Sequence, residues 1–225
     1  MQIFDAIANF FVFVGERYPD ILSAAGQHAL IALIATLLGI VVAIPVAIMI
    51  SRSEIKWVNS IVFSVANLFQ TIPSLALLAL MIPLFGIGMT PAVIALFLYS
   101  LLPLLRNTYA GLQSVDPALR DASKGMGYSR LQSLFQIELP LAIPYIMSGI
   151  RITTVYIISW TTLAGLVGAG GLGQLIVSGL GVNKTELIVA GAISAILFAL
   201  LADLVLSLVE KSFTPKKNSA KANAS

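Results

Sequence analysis

The chain has 225 residues, 58% of them hydrophobic and 10% charged, with a formal net charge of +3 and a mean hydropathy of +0.97; this balance excludes an ordinary soluble domain and marks an integral membrane protein. It has no cysteine and a single histidine, His28, which excludes a disulfide framework, a thiolate metal site, a thiol nucleophile and a histidine metal cluster, so neither metal nor cofactor is expected. The basic residues are dispersed along the loops, so membrane topology, and not a nucleic-acid partner, accounts for the positive charge.

In chain order, residues 1–23 form the first segment. Met1–Asp20 lacks the basic start and small-residue cleavage site of a removable signal peptide. Ile3, Phe4, Ile7, Phe10, Phe11 and Phe13 suit an amphipathic helix on the outer leaflet, and Asp5, Glu16 and Arg17 argue against a crossing there. A helix needs about 20 apolar residues to cross about 30 Å of hydrocarbon, so charge-free runs locate the spans. Ala29–Ile50 is the first. Val58–Leu105 carries no charge and is far too long for one crossing. It reverses at Gly86-Ile87-Gly88-Met89-Thr90-Pro91, giving spans Val58–Phe85 and Pro91–Leu105, with Arg106 at the exit. Ala142–Ala164 is the fourth span, the glycine-rich Gly165–Gly181 region intervenes, and Leu187–Val209 is the fifth. The expected fold class is all-α: a polytopic, multi-pass membrane protein of about five transmembrane helices. Residues 24–209 are its membrane domain, 107–140 a loop, and 210–225 a disordered tail.

Five spans put the termini on opposite sides. If the tail is cytosolic, Arg52, Lys56, Arg106, Arg120, Lys124, Arg130, Lys211, Lys216, Lys217 and Lys221 are cytosolic too. Only Arg17 and Lys184 then face outward, beside Asp5, Glu16, Asp20 and Glu186. The positive-inside rule therefore expects the N-terminus outside, and the C-terminus and the Asn107–Glu138 loop in the cytosol.

That loop carries local structural signals. Asp116 is an N-cap with Pro117 at the first helical position, Ala118–Ser123 continue the helix, and Gly125 or Gly127 ends it in a left-handed turn. Ser129 starts a second short helix that Pro140 is expected to stop. Small residues at Ala122 and Ser123 let the first helix sit closely in another protein's groove, with Leu119 and Met126 as apolar contacts. The alternative is a solvated helical hairpin.

Asp121-Ala122-Ser123, Gly127, and Ile137, Leu139 and Pro140 resemble the pattern E-A-A-x3-G-x9-I-x-L-P in the cytoplasmic coupling loop of importer-type ABC transporter permeases. Asp121 replaces the glutamate and Ser123 the second alanine, keeping charge and small size. Gln70-Thr71-Ile72-Pro73-Ser74-Leu75-Ala76, Arg106-Asn107-Thr108-Tyr109, Gly149-Ile150-Arg151 and Gly168-Ala169-Gly170-Gly171-Leu172-Gly173 are similar to the permeases for glycine betaine, carnitine and choline. The resemblance implies the type I ABC importer permease fold in a prokaryotic cell membrane. It also implies a second permease subunit, identical or paralogous, cytosolic ATPase subunits docking beneath, and an extracytoplasmic substrate-binding protein. ATP hydrolysis is expected on a partner, because no G-x-x-x-x-G-K-[ST] phosphate loop occurs in this chain. A methionine-type importer is the nearest rival; an intramembrane protease lacks a catalytic constellation, and a passive structural subunit needs no coupling helix.

Other residues carry weaker signals. Gly168, Gly170 and Gly173 fit G-x-G-x-x-G, but no strand precedes them as a dinucleotide site requires; they allow irregular backbone or close helix approach. Arg151 and Asp203 lie at similar depth inside spans four and five, where they form an ion pair, snorkel to the interface or meet another subunit. Tyr156 and Trp160 share a helix face, which lines the pathway and offers aromatic faces to a quaternary ammonium, or packs against lipid or helix. Pro73 removes a backbone hydrogen bond near the middle of span two and kinks or breaks it, with or without a transport role. His28, just before span one, reads as an interfacial polar anchor or a pH-sensitive group.

Overall fold

A computed structural model describes residues 2–53 and 55–213. From residue 214 the expected tail lies outside the described residues, as do the side chains of residues 1–7 in the amphipathic segment. The elements in chain order are α1 (Gln2–Ser51), α2 (Lys56–Thr71), α3 (Ser74–Phe85), α4 (Met89–Gln113), α5 (Pro117–Gly125), α6 (Arg130–Ser133), α7 (Leu139–Ala164), α8 (Leu172–Gly181) and α9 (Thr185–Phe213). A π-helical turn, Leu134–Glu138, joins α6 to α7, and a 3₁₀ turn, Gly165–Val167, follows α7. No strand occurs among the described residues. Among the described residues four helices are long and apolar enough to cross a membrane, and the α2–α3 pair makes a fifth crossing if it counts as one bent span.

α1 is a single helix of 50 residues, roughly 75 Å long at 1.5 Å per residue, more than twice the hydrocarbon thickness. Residues 2–23 and the first span are therefore continuous. Every fourth residue on one face of α1 is small, namely Ala35, Gly39, Ala43 and Ala47. The three alanines are completely buried, and a Cβ at Gly39 would lie 2.0 Å from Ser100 Oγ of α4. In a bilayer, where lipid is as apolar as leucine, such small-residue faces let backbones approach and gain dispersion contacts. The principal core joins α1, α3, α4 and α7 through Ile31, Leu77, Leu96, Tyr99 and Ile157. α9 exposes Ile196, Leu200, Leu204 and Leu208, a stripe suited to contact with acyl chains and not with water.

The second span breaks at Pro73, one of the two outcomes expected there: α2 and α3 meet at 96°, because Ile72 (ψ 128°), held extended by the following proline, and Pro73 (ψ 136°) leave the helix. Three expectations need correction. α4 does not end with the membrane at Arg106 but runs to Gln113. Pro140 does not stop the helix that Ser129 begins; it lies in the first turn of α7, directly after the π turn. At that position its missing N–H is accommodated by the wider turn behind it. The glycine-rich region is not merely irregular, since it contains α8, wedged against α7 and α9.

Candidate functional site

At the loop end of the bundle, Asp116 Oδ1 accepts a hydrogen bond from Ala118 N at 2.8 Å, capping α5 with Pro117 at its first position. Tyr128 N donates to Ser123 O (3.1 Å) and Gly127 N to Lys124 O (3.0 Å), a Schellman arrangement that satisfies the last carbonyls. It requires Gly127 at φ +81°, a conformation costly for any residue with a Cβ. Ser129 then forms a reciprocal capping box with Gln132, at 2.8 and 3.2 Å.

The buried carboxylate of Glu138 gathers these pieces. Its Oε1 accepts from Arg52 Nη2 at the end of α1 (2.5 Å) and from Ser133 Oγ (3.2 Å), and Arg120 Nε of α5 lies 3.5 Å from Oε2. Arg52 Nη1 also donates to Arg130 O at 2.7 Å, and Arg120 reaches the carbonyl of Leu112. Ser123 faces inward, completely buried, with its hydroxyl 3.0 Å from that of Ser133. Ser123 therefore serves close approach within the loop and not to an outside groove. Ala122 is exposed, as are Leu119, Met126, Leu131 and Phe135. Asp121 pairs with Lys124 at 3.0 Å on the open surface, where such a pair contributes little. Ile137 and Leu139 are half-buried and Pro140 exposed; Leu139 packs against the buried cluster of Leu112, Leu134, Ala142 and Ile146, anchoring the loop to the bundle.

Midway along the bundle, the break between α2 and α3 is tied to α4. The Tyr99 hydroxyl donates to the carbonyl of Ile72, released from helical bonding at the break, and Gln70 Nε2 donates to Tyr99 O at 2.8 Å. Beside it is a cavity of about 190 Å³ lined by Gln70, Tyr99, Pro103, Thr153, Tyr156, Ile157 and Trp160. The Tyr99 and Trp160 rings are 4.6 Å apart and tilted by 35°. Tyr156 and Trp160 thus meet in one cavity, whereas Pro73 shapes the break without lining it. Gln70 belongs to the segment that carries the family resemblance, whereas nothing local in the sequence distinguishes Tyr99 from other span residues.

Arg151 on α7 and Asp203 on α9 form a bidentate pair, Nε to Oδ1 at 2.7 Å and Nη2 to Oδ2 at 2.9 Å. Arg151 Nη1 also donates to Glu210 Oε2 at 2.9 Å. Glu210 is seven residues beyond Asp203, so helical periodicity puts both carboxylates on one face. At the end opposite the loop, Gly168, Gly170 and Gly171 all have positive φ, and Gly171 N donates to Gln27 Oε1 at 3.1 Å. His28 is completely buried within the chain, with Nε2 2.9 Å from Ile158 O and its ring 5.6 Å from that of Phe198, edge to face.

Residues 39–217 match the family model described as binding-protein-dependent transport system inner membrane component. The chain is 45% identical to the glycine betaine/carnitine/choline transport system permease protein OpuCB of Bacillus subtilis (strain 168), over 91% of this chain and 93% of that one. It is 44% identical to the carnitine transport permease protein OpuCB of Listeria monocytogenes, over 94% and 95% of the two chains. The same fold occurs in the MetNI methionine ABC transporter captured in an inward-facing conformation, with a TM-score of 0.75 over 86% of this chain and 96% of that one at 21% identity. A multi-pass, all-helical chain with a capped loop helix at one end and a broken span beside its core therefore belongs to the inner membrane components of binding-protein-dependent ABC transport systems.

Proposed function

We propose that this chain is the membrane-spanning permease subunit of an ATP-driven importer for quaternary ammonium osmoprotectants: glycine betaine, carnitine and choline. The observation that carries the reading is 45% identity, over 91% of the chain, to a permease named for those three solutes; the methionine transporter shares the fold at only 21% identity. In this reading a second permease completes the pathway, ATPase subunits bind the loop from the cytosol, and an external binding protein delivers the solute. The test is uptake of radiolabelled glycine betaine, carnitine, choline and methionine in high-salt medium by cells carrying or lacking the gene. Loss of the quaternary solutes alone supports the assignment. Loss of methionine alone overturns the substrate.

α5 is the element that meets the ATPase, presenting Leu119, Asp121, Ala122 and Met126 outward. ATP-driven closure of an ATPase pair moves this helix. The Glu138 hub carries the motion to α1, and the continuous 130–164 helical stretch carries it to α7, so the spans switch access between faces. Reversing a charge in such a contact costs several kcal/mol, so Asp121→Lys is expected to lower uptake by about tenfold or more while ATP hydrolysis persists. Wild-type uptake by that variant removes Asp121 from the contact.

The N-terminus lies outside and the loop in the cytosol. Because the chain has no cysteine, single replacements report this directly. A membrane-impermeant maleimide added to intact cells should label Val182→Cys, at a site 68% exposed, and leave Ala122→Cys untouched. The reverse pattern inverts the topology.

A further inference from the structure

We propose that the cavity beside the α2–α3 break is a transit site for the solute's trimethylammonium group, held by the aromatic faces of Tyr99, Tyr156 and Trp160. The proposal rests on the import reading above and names the place in the pathway where that class of solute is recognised. A quaternary ammonium has no N–H to donate, so no hydrogen bond can hold it. Its attraction to a protein comes from carboxylates or from the negative faces of aromatic rings.

The lining offers aromatic rings and no carboxylate. Trp160 supplies the best cation–π face and the two tyrosines the next best. Their placement is preorganised. Tyr99 is pinned at both ends, its hydroxyl on Ile72 O and its carbonyl on the Gln70 amide, and its ring rests 4.6 Å from that of Trp160. Tyr156, one turn from Trp160 on α7, is 56% exposed, so this side of the cavity is open to an entering solute. The polar hydroxyl of Thr153 is already committed to Gly149 O at 2.7 Å. A site with aromatic attraction but no opposing full charge binds weakly enough to let its solute leave, which a conducting pathway requires. It also sits where a span is interrupted, the usual place for a transporter's midplane site.

The test uses the assembled complex of this permease, its ATPase and its binding protein in proteoliposomes, measuring ATP-driven choline uptake. Trp160→Leu and Tyr156→Leu keep apolar bulk and remove the ring; each is expected to lower uptake about tenfold. Trp160→Phe keeps a weaker ring and is expected to recover part of that loss. The exposed setting of Tyr156 keeps its leucine variant free of a folding defect. Leucine variants that import at the wild-type rate overturn the site. So does equal impairment of Trp160→Leu and Trp160→Phe, which makes the requirement one of indole shape and packing and not of charge on a ring. A wild-type complex that imports no quaternary ammonium overturns the import reading itself, a result visible before any variant is compared.

Discussion

Gly173→Ala should prevent the chain from reaching a monodisperse folded state in detergent. A Cβ at Gly173 would lie 1.8 Å from Thr162 O and 2.6 Å from Thr162 C, which are backbone atoms of α7 and not the movable end of a side chain. On the other flank of the same crossing, a Cβ at Gly165 would lie 2.6 Å from Gln174 N, so α8 has no free direction in which to slide. Overpacking of a tight core costs about 1–3 kcal/mol when side chains can give; here two helices must separate, and the cost is expected at or above the top of that range. Gly181→Ala, at the end of the same helix with nothing within 4 Å, is the control and should behave as wild type. Size-exclusion profiles of the two variants decide the matter: equal profiles mean that α7 and α8 do not approach as closely as described.

Glu138→Leu has the next largest expected effect. The Glu138 side chain is 9% exposed and pairs with guanidinium groups just past α1 and on α5, whose side chains are 27% and 29% exposed. Its removal leaves both cations half-buried without their partner. Breaking a buried ion pair from one side costs about 3–5 kcal/mol; the arginines retain some water, which places the loss near about 3 kcal/mol, or a Tm lower by roughly 10 °C for a chain of this size. Because the hub fastens α5 and α6 to α1, trypsin should also cut after Arg120, Lys124 or Arg130 much faster than in wild type. Glu138→Gln, which keeps the shape and a hydrogen bond from Ser133, should lose less. Unchanged melting and unchanged cleavage in Glu138→Leu would mean that the loop is held by its apolar anchors alone.

The legibility of this fold in its sequence follows from which constraints are local. Spans are legible because hydrocarbon thickness dictates run length, and the α5 and α6 starts are legible because Asp116 and Ser129 cap with their own side chains. The break at Pro73 was signalled, but its 96° angle depends on Tyr99, distant in sequence, capturing the Ile72 carbonyl. Pro140 does not end the helix because the rule that proline breaks a helix holds for a regular α-helical interior, and the π turn directly before it takes up the missing N–H. α8 was missed because ten glycine-rich residues have little intrinsic helicity; the close approach of its glycines to α7 and α9 makes it helical. The inward setting of Ser123 is not legible in the sequence, because a small side chain suits an inner face and an outer one equally well. Glu138 occupies the variable position of the I-x-L-P pattern, yet a carboxylate among Leu134, Phe135, Ile137 and Leu139 is itself a sign of a buried partner. Of the alternatives that similar depth leaves open to Arg151 and Asp203, the structure holds the ion pair, and Glu210 joins it from two turns further along α9.

In the proposed import, a quaternary ammonium solute crosses the bilayer through this chain with energy supplied by a partner's ATP hydrolysis. The most direct test is accumulation of radiolabelled glycine betaine in proteoliposomes holding the permease, its ATPase and a loaded binding protein, with and without ATP on the ATPase side. Accumulation that requires both ATP and the binding protein, with methionine excluded, is the predicted result. Accumulation of methionine in place of betaine, or betaine flux indifferent to ATP, would contradict it.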